Sequence, residues 1–334
     1  MINFKRKHNI RQRQVTRYVS RRKITTLQEI EESAKRFQHQ TKNIITAGTI
    51  PPHFIINTGQ TGCEYRTSIK RSLLSHKGEK ATQIAIDSIF KMTHSYTAQY
   101  LIPKVFICLQ ELKGSFGLQV QNIVESLMNQ YENVFITCTK SGKLTTPRYK
   151  EFLENVLKPY VEKNEFCLMI DSWSGQTDNS LYNDLFYDNE NNTTCTLKVV
   201  PLQCTSICLP CDVYFYRQVK ILLKQMQNST FILQENRSLH SREDAIKMHS
   251  LIHNQLSAPI FEKMVQYALY ASGLTKSCEI FLNVHQVCFP PKDNNKEYNY
   301  EELSFITCAW CEKRLCFRCF YDNYHPSVCN VYKK

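Results

Sequence analysis

The stretch from residue 147 to residue 170 constrains the fold more than any other part of the sequence. Apolar residues recur there at three- and four-residue intervals after Thr146 and Pro147, which predicts a helix from Pro147 to about Val161 with Thr146 as its N-cap. These apolar positions are Tyr149, Phe152, Leu153, Val156, Leu157, Tyr160 and Val161. Apolar runs at 134–138 and 166–170, typical of strands, flank the helix. A helix that connects two strands is typical of a crossover between parallel strands, so the sequence predicts an α/β core.

The remaining patterns fit the same fold class. A helix is predicted at 27–37 because its acidic residues come early and its basic residues late. Further strands are predicted at 53–57, 81–86, 105–109 and 195–200. Helices are predicted from Asp212 to Met226 and from Ser241 to Ser272, the latter interrupted at Pro259. Residues 276–306 show no clear pattern and are interpreted as a connector.

Two aspartates stand where strands and helices meet. Asp171 follows the strand at 166–170, and Asp212 opens an amphipathic helix. Carboxylates at the edge of an α/β sheet are suitable ligands for a hard divalent cation. A simpler interpretation is that Asp171 begins a turn and that Asp212 is only the N-cap of its helix.

The charge of the chain favours a polyanionic partner. The formal net charge is +12, and the first 23 residues contain no acidic residue. The candidate DNA-binding residues of this arm are Lys5, Arg6, Lys7, Arg11, Arg13, Arg17, Arg21, Arg22 and Lys23. A second basic stripe lies on the predicted helix after Asp212, at Arg217, Lys220 and Lys224. Nucleic acid is the partner that such basic segments most often bind, although a solvated arm without a partner would have the same composition.

Hydrophobic patterning argues against a membrane protein. The apolar runs are short, such as 166–170, and none approaches the roughly 20 residues of a membrane span. The N-terminus is charged from Lys5 onward and has no apolar core of a signal peptide. We therefore expect an intracellular protein with no membrane partner.

Cysteines cluster near the C-terminus. The chain has 15 cysteines, and in an intracellular protein they indicate thiols or metal ligands and not a disulfide framework. The candidate metal ligands are Cys308, Cys311, Cys316, Cys319, His325 and Cys329. Pairs of cysteines two residues apart are typical of a tetrahedral zinc site, which needs four of these six residues. The alternative is a set of buried thiols in a small hairpin around Trp310 and Phe317.

Several ordered motifs together resemble a known family. They are Asn57-Thr-Gly-Gln-Thr-Gly62, Thr139-Lys-Ser-Gly-Lys143, Leu168 to Thr177, Pro201 to Arg217 and Ser241-Arg-Glu-Asp-Ala245. Their order and spacing resemble the DDE/DDD superfamily endonuclease domain of pogo/Tigger-type, mariner-like transposases. The resemblance implies an RNase H-like α/β core at 51–275, with a mixed sheet flanked by helices. It also implies that residues 1–50 are a remnant of a centromere-protein-B-type helix-turn-helix domain and that 276–334 form a connector and a zinc module.

The resemblance further implies a function and a defect in it. In the family, three carboxylates bind two Mg²⁺ ions for phosphodiester cleavage. Asp171 and Asp212 match the second and third positions, whereas Gly59 occupies the first. We therefore expect a nuclear, DNA-binding protein with impaired catalysis and weak or lost Mg²⁺ binding, and a homodimer is a further candidate assembly. The alternatives are an active endonuclease that recruits another acid, and an interaction protein that needs neither DNA nor metal.

Overall fold

The computed structural model describes residues 27–65, 95–232, 239–290, 304–329 and 331. The basic residues of the N-terminal arm and the strand predicted at 81–86 lie outside this part of the chain. Among the described helices, none is long and apolar enough to cross a membrane.

Two sets of paired strands form the centre of the fold. The strands are β1 (Ile55–Asn57), β2 (Gln60–Glu64), β3 (Ser95–Tyr100), β4 (Val105–Gln110), β5 (Val134–Thr139), β6 (Phe166–Ile170) and β7 (Cys195–Val199). The order β1-β6-β7 is parallel throughout. In the order β2-β3-β4-β5 the first two pairs are antiparallel and the last is parallel. Because only Thr58 and Gly59 separate β1 from β2, the chain passes directly from one set to the other.

Helices flank these strands. They are α1 (Leu27–Ala47), α2 (Leu118–Gln130), α3 (Thr146–Phe152), α4 (Lys158–Val161), α5 (Ser180–Asn183), α6 (Thr205–Cys208), α7 (Tyr216–Ile232), α8 (Arg242–Leu256), α9 (Glu262–Ala271) and α10 (Val284–Cys288). Shorter turns are π-helical at Leu153–Leu157, Cys211–Phe215 and Arg318–Asp322, and 3-10 helical at Pro52–Phe54, Pro259–Phe261 and His325–Ser327. The predicted α/β class, with a mixed sheet flanked by helices, is confirmed.

The crossover helix packs as predicted but begins one residue earlier. Its N-cap is Thr145, which has an extended backbone and forms no side-chain cap, so the predicted cap at Thr146 is wrong by one position. Tyr149, Phe152 and Leu157 are fully buried against the sheet. The strands on either side do not pair with each other, since β5 pairs with β4 and β6 pairs with β1. The helix therefore connects the two sets of strands.

The parallel pairing of β1 with β6 places the functional positions side by side. Asn57 at the end of β1 lies opposite Met169 of β6. The Asn57 side chain donates to the Met169 carbonyl at 3.2 Å, and the backbone N–H of Thr58 donates to the same carbonyl at 3.3 Å. Gly59 follows β1 after Thr58, and Asp171 comes directly after β6. The two residues therefore leave the sheet side by side.

Helix α1 packs on the segment that leads to Asp212. Ala34 and Phe37 are buried together with Cys204, Cys208 and Leu209. The Cys208 thiol donates to the Ala34 carbonyl at 3.8 Å. The described part of the predicted N-terminal region is thus folded onto the core.

The cysteine-rich tail packs into the main hydrophobic core. Strands β8 (Ser304–Thr307) and β9 (Arg314–Cys316) form an antiparallel hairpin. Phe317, Phe320 and Tyr321 are fully or almost fully buried in the same cluster as the apolar face of α8. The Tyr321 hydroxyl also donates to Asp244 at 2.8 Å, at the N-terminus of α8. The tail and the core therefore share one hydrophobic interior.

Candidate functional site

Gly59 lies directly beside Asp212. A Cβ atom at position 59 would be 3.1 Å from Oδ2 of Asp212 and 3.2 Å from Cδ2 of Leu209. The hydroxyl of Tyr216 donates to the Gly59 carbonyl, which fixes the break between β1 and β2 against α7. A side chain at residue 59 would therefore point at the Asp212 carboxylate, as a ligand of a shared metal site would.

Asn57 and Cys211 connect the short segment between β1 and β2 to the turn that carries Asp212. The Cys211 backbone N–H donates to Oδ1 of Asn57 at 2.7 Å, and the Cys211 thiol donates to the Asn57 carbonyl at 3.5 Å. Asp212 follows within the π-helical turn Cys211–Phe215, which continues into α7. The prediction that Asp212 opens a helix is confirmed, and these contacts hold it toward the sheet.

Asp171 is fixed at the end of β6 by local hydrogen bonds. Its Oδ1 accepts from the Trp173 backbone N–H at 3.1 Å and from the side-chain amide of Gln176. Gln176 is itself buried and donates to the Asp171 carbonyl at 3.2 Å. One oxygen of Asp171 is therefore already engaged in the turn that follows the strand, as the simpler interpretation of this residue predicts.

The surroundings of Asp212 disfavour its ionised form. Asp212 is exposed as a residue, but its Oδ2 faces the interior beside Gly59. Burial of the carboxylate and, secondarily, the negative charge of Asp171 raise the pKa of Asp212 to about 6, while Lys220 opposes the shift. We define Gly59, Asp171 and Asp212 as the carboxylate site.

The carboxylate site does not fit a centre with two magnesium ions. Such a centre needs carboxylates that hold both ions, and one of them must be shared between the ions. Position 59 has no ligand atom, and Oδ1 of Asp171 accepts two hydrogen bonds. Within the described residues, no group of three or more acidic, histidine or cysteine ligand atoms forms here.

The raised pKa of Asp212 predicts a pH-dependent change in stability for Asp212→Asn. The folded-state pKa lies above the unfolded value, so ionisation of Asp212 lowers stability as the pH rises through about 4 to 6. Asp212→Asn should therefore raise the melting temperature at pH 7.5 and leave it nearly unchanged at pH 4. Asp178→Asn is the matched control and should not raise it, because hydrogen bonds from Ser180 lower the pKa of Asp178. Equal effects of Asp212→Asn at both pH values would contradict this assignment.

A basic groove opens next to Asp212. Its volume is about 410 Å³, and its lining residues are Thr61, Asp212, Tyr216, Arg217, Lys220, Ile221 and Lys224. Arg217, Lys220 and Lys224 are exposed along one side of α7, whereas Tyr216, Val219, Leu223 and Met226 are buried on the other. The predicted basic stripe is confirmed, and we call these three cations the basic face. They extend over about 10 Å of helix, enough to contact more than one phosphate of a nucleic acid strand.

Four of the six predicted metal ligands come together in the tail. The ligand atoms of Cys308, Cys311, His325 and Cys329 all lie within 4.8 Å of one another, and we call them the Cys3His cluster. The Cys311 thiol and Nε2 of His325 are 3.4 Å apart. Cys316 and Cys319 are not part of this group. The Cys3His cluster could hold a metal ion.

The surroundings of the Cys3His cluster favour a bound cation. Burial, together with the nearby Cys308 and Cys329 thiols, raises the pKa of Cys311 to about 11. Burial also lowers the pKa of His325, which keeps its imidazole neutral. Neutral imidazole is the form that binds metal, and a cation would offset the cost of ionising several adjacent thiols.

Gln255 of α8 contacts the Cys3His cluster, a contact that the sequence patterns did not reveal. Its side chain is fully buried, donates to the Cys308 sulfur at 3.7 Å and accepts from the Ala309 backbone N–H at 2.8 Å. Trp310 reinforces this contact by donating to the Asn254 carbonyl at 2.7 Å. The buried side of α8 also carries His249, Ser250 and His253, so the amides Asn254 and Gln255 gave no distinct sequence signal.

One family model matches the part of the chain that carries both aspartates. Residues 110–264 match the family model of the DDE superfamily endonuclease, and this range contains Asp171 and Asp212. Residues 110–264 are therefore similar to a DDE superfamily endonuclease domain. The match begins after Gly59, so it does not test the first ligand position. Members of this superfamily use a divalent metal. No curated protein matches the chain at a significant level.

Solved structures with a similar arrangement come from Mos1 transposase. A pre-cleavage Mos1 transpososome is 11% identical, with a TM-score of 0.39 over 83% of this chain and 71% of that chain. The Mos1 transposase paired-end complex with the left transposon end is 13% identical, with a TM-score of 0.39 over 83% and 70%. The catalytic domain of Mos1 mariner transposase is 8% identical, with a TM-score of 0.31 over 78% and 100%. Likeness at this level does not extend the activity of those proteins to this chain.

Proposed function

We propose that this transposase-derived protein binds DNA through its DDE domain without cleaving it. The observation that carries the proposal is the glycine at position 59. A side chain there would point at Asp212, but glycine has no side-chain ligand atom. Cleavage of a phosphodiester by two metal ions requires stabilisation of both the attacking and the leaving oxygen. Asp171 and Asp212 alone can hold at most one weakly bound Mg²⁺ ion, so we expect no strand cleavage with Mg²⁺ or Mn²⁺.

The basic face supports DNA as the ligand. Arg217, Lys220 and Lys224 line an open groove and are all exposed, so phosphate oxygens can reach them without rearrangement of the core. The basic arm at residues 5–23 would add further phosphate contacts. Contacts of this kind position a nucleic acid but read little of its sequence. We expect binding that is mainly electrostatic and weakly sequence-selective, in the nucleus.

The binding proposal predicts a specific change in salt dependence. Replacing Arg217, Lys220 and Lys224 by alanine should lower duplex affinity at least about tenfold at low salt and reduce the slope of log K against log salt by roughly 2 to 3. Deletion of residues 1–23 should flatten the slope further. Fluorescence anisotropy between about 50 and 200 mM salt measures both effects.

The matched control changes the same charge elsewhere. Lys150, Lys158 and Lys163 are exposed and do not line the groove, so their triple alanine variant should bind DNA nearly as the unmodified protein does. Equal losses in both triple variants would show that only net charge matters. Absence of DNA binding by the unmodified protein would instead favour the interaction-protein alternative.

Zinc is the metal that we propose for the Cys3His cluster. Three thiolates and one imidazole complete a tetrahedral zinc site, and no position is left open for water or substrate. Such a site stabilises the fold and takes no part in catalysis. The direct contact of Gln255 with Cys308 supports a structural role, because it joins the cluster to the core helix α8.

A further inference from the structure

The Cys316–Cys319 pair stands apart from the Cys3His cluster. Both cysteines are thiols, and neither belongs to the group of four ligands. Cys319 is exposed and Cys316 is half-buried, so small reagents can reach the pair from solvent. From these observations we infer that Cys316 and Cys319 are a redox-active dithiol that closes a reversible disulfide between the two residues by exchange with small-molecule disulfides.

The backbone between the two cysteines brings their side chains to one side. Phe317 has helical dihedral angles, φ −58° and ψ −43°, and Arg318 begins the π-helical turn Arg318–Asp322. Cys316 is the last residue of β9, and the chain enters this helical turn directly after it. A disulfide needs a Cβ separation of roughly 3.5–4.5 Å, and only Phe317 and Arg318 separate the two cysteines along this bend.

A hydrogen bond already turns Cys316 toward Cys319. The Cys319 backbone N–H donates to the Cys316 sulfur at 3.3 Å. This contact places the Cys316 sulfur beside the backbone of Cys319, where it can attack the Cys319 sulfur of a mixed disulfide. Phe317 and Phe320 are buried in the core on either side of Arg318 and Cys319, which holds the turn in place in both redox states.

The exchange balances with glutathione disulfide as oxidant. The exposed Cys319 thiolate attacks one sulfur of glutathione disulfide, which forms a mixed disulfide and releases one glutathione thiolate. The Cys316 sulfur then attacks the Cys319 sulfur and releases the second glutathione. The protein loses two electrons and two protons in total, and glutathione disulfide gains them as two glutathione thiols. In a reduced compartment such bonds are usually transient or redox-sensing.

The test follows the thiols of the zinc-loaded, full-length protein in glutathione buffers of increasing oxidation. After quenching with an alkylating reagent, peptide mass spectrometry should show loss of both alkylation sites at Cys316 and Cys319, with unchanged zinc content. Cys316→Ser should accumulate the glutathione adduct on Cys319, and Cys319→Ser should form no adduct on Cys316. Cys278→Ser removes an exposed thiol outside the pair and should leave the oxidation curve unchanged.

Two outcomes would overturn the inference. Full alkylation of both cysteines in the most oxidising buffer would show that the pair does not close. Loss of zinc in Cys316→Ser or Cys319→Ser would show that these residues are metal ligands. Neither outcome depends on whether the protein binds DNA.

Discussion

Removal of the metal from the Cys3His cluster should unfold the tail and strongly destabilise the whole protein. Structural zinc contributes on the order of 10 kcal/mol to the folding of isolated zinc-finger peptides. Here Phe317, Phe320 and Tyr321 share the main hydrophobic core with α8, so loss of the tail exposes that core. A net loss of about 4 kcal/mol would lower the melting temperature by about 10 °C. Calorimetry with and without a chelator measures this change, and metal analysis should find at least one zinc per chain.

Single substitutions test which residues bind this metal. Serine at Cys308, Cys311 or Cys329 and alanine at His325 should each abolish stoichiometric zinc, whereas Cys316→Ser and Cys319→Ser should retain it. Gln255→Leu should weaken zinc binding about 10- to 100-fold, because it removes the hydrogen bonds that orient Cys308 and Ala309. A tail that stays cooperatively folded without metal would refute the assignment.

Gly59→Asp should restore a metal-binding site at the position beside Asp212. The new Cβ would lie 3.1 Å from Oδ2 of Asp212 and 3.2 Å from Leu209, so these neighbours need to move by only a few tenths of an ångström. Without metal, the added carboxylate is repelled by Asp212 and Asp171, and the variant should melt below the unmodified protein. Addition of Mg²⁺ or Mn²⁺ should restore the melting temperature of the variant. We expect the Mn²⁺ dissociation constant to fall at least about tenfold, a gain of about 1.4 kcal/mol.

Gly62→Asp is the matched control for this substitution. Gly62 lies three residues away in β2, and a Cβ there would meet nothing within 4 Å. It adds the same charge outside the carboxylate site and should not create metal-dependent stability. If Gly59 is the only defect, Gly59→Asp should also nick DNA in a metal-dependent manner. Binding of metal without nicking would show that other parts of the site are also impaired.

Cleavage by the unmodified protein would overturn the proposed function. If Mg²⁺-dependent nicking is observed and Asp171→Ala abolishes it, another acid must complete the site. Glu64 is the nearest acid downstream of Gly59, but it is exposed at the far end of β2. The geometry therefore predicts that the unmodified protein is inactive.

The sequence by itself determined much of the local structure. The helix that begins at Thr146 and the strand at 166–170 can be predicted because helical and strand periodicities are properties of a few neighbouring residues. The helix that Asp212 opens was predicted for the same reason. The motif resemblance indicated the DDE domain, and the spacing of the cysteines indicated a metal site, because both signals lie in short ordered segments of the chain.

Only the tertiary structure decided which distant residues meet. The six cysteine and histidine candidates were equivalent in the sequence, and folding of the tail brought four together and left Cys316 and Cys319 apart. Gln255 lies 53 residues from Cys308 along the chain and was invisible to any local pattern. The pairing of β1 with β6, the contact of Gly59 with Asp212 and the packing of the tail on α8 likewise depend on long-range burial and hydrogen bonding. Periodicity along the chain does not encode these contacts, because they form between surfaces that become neighbours only when the core assembles.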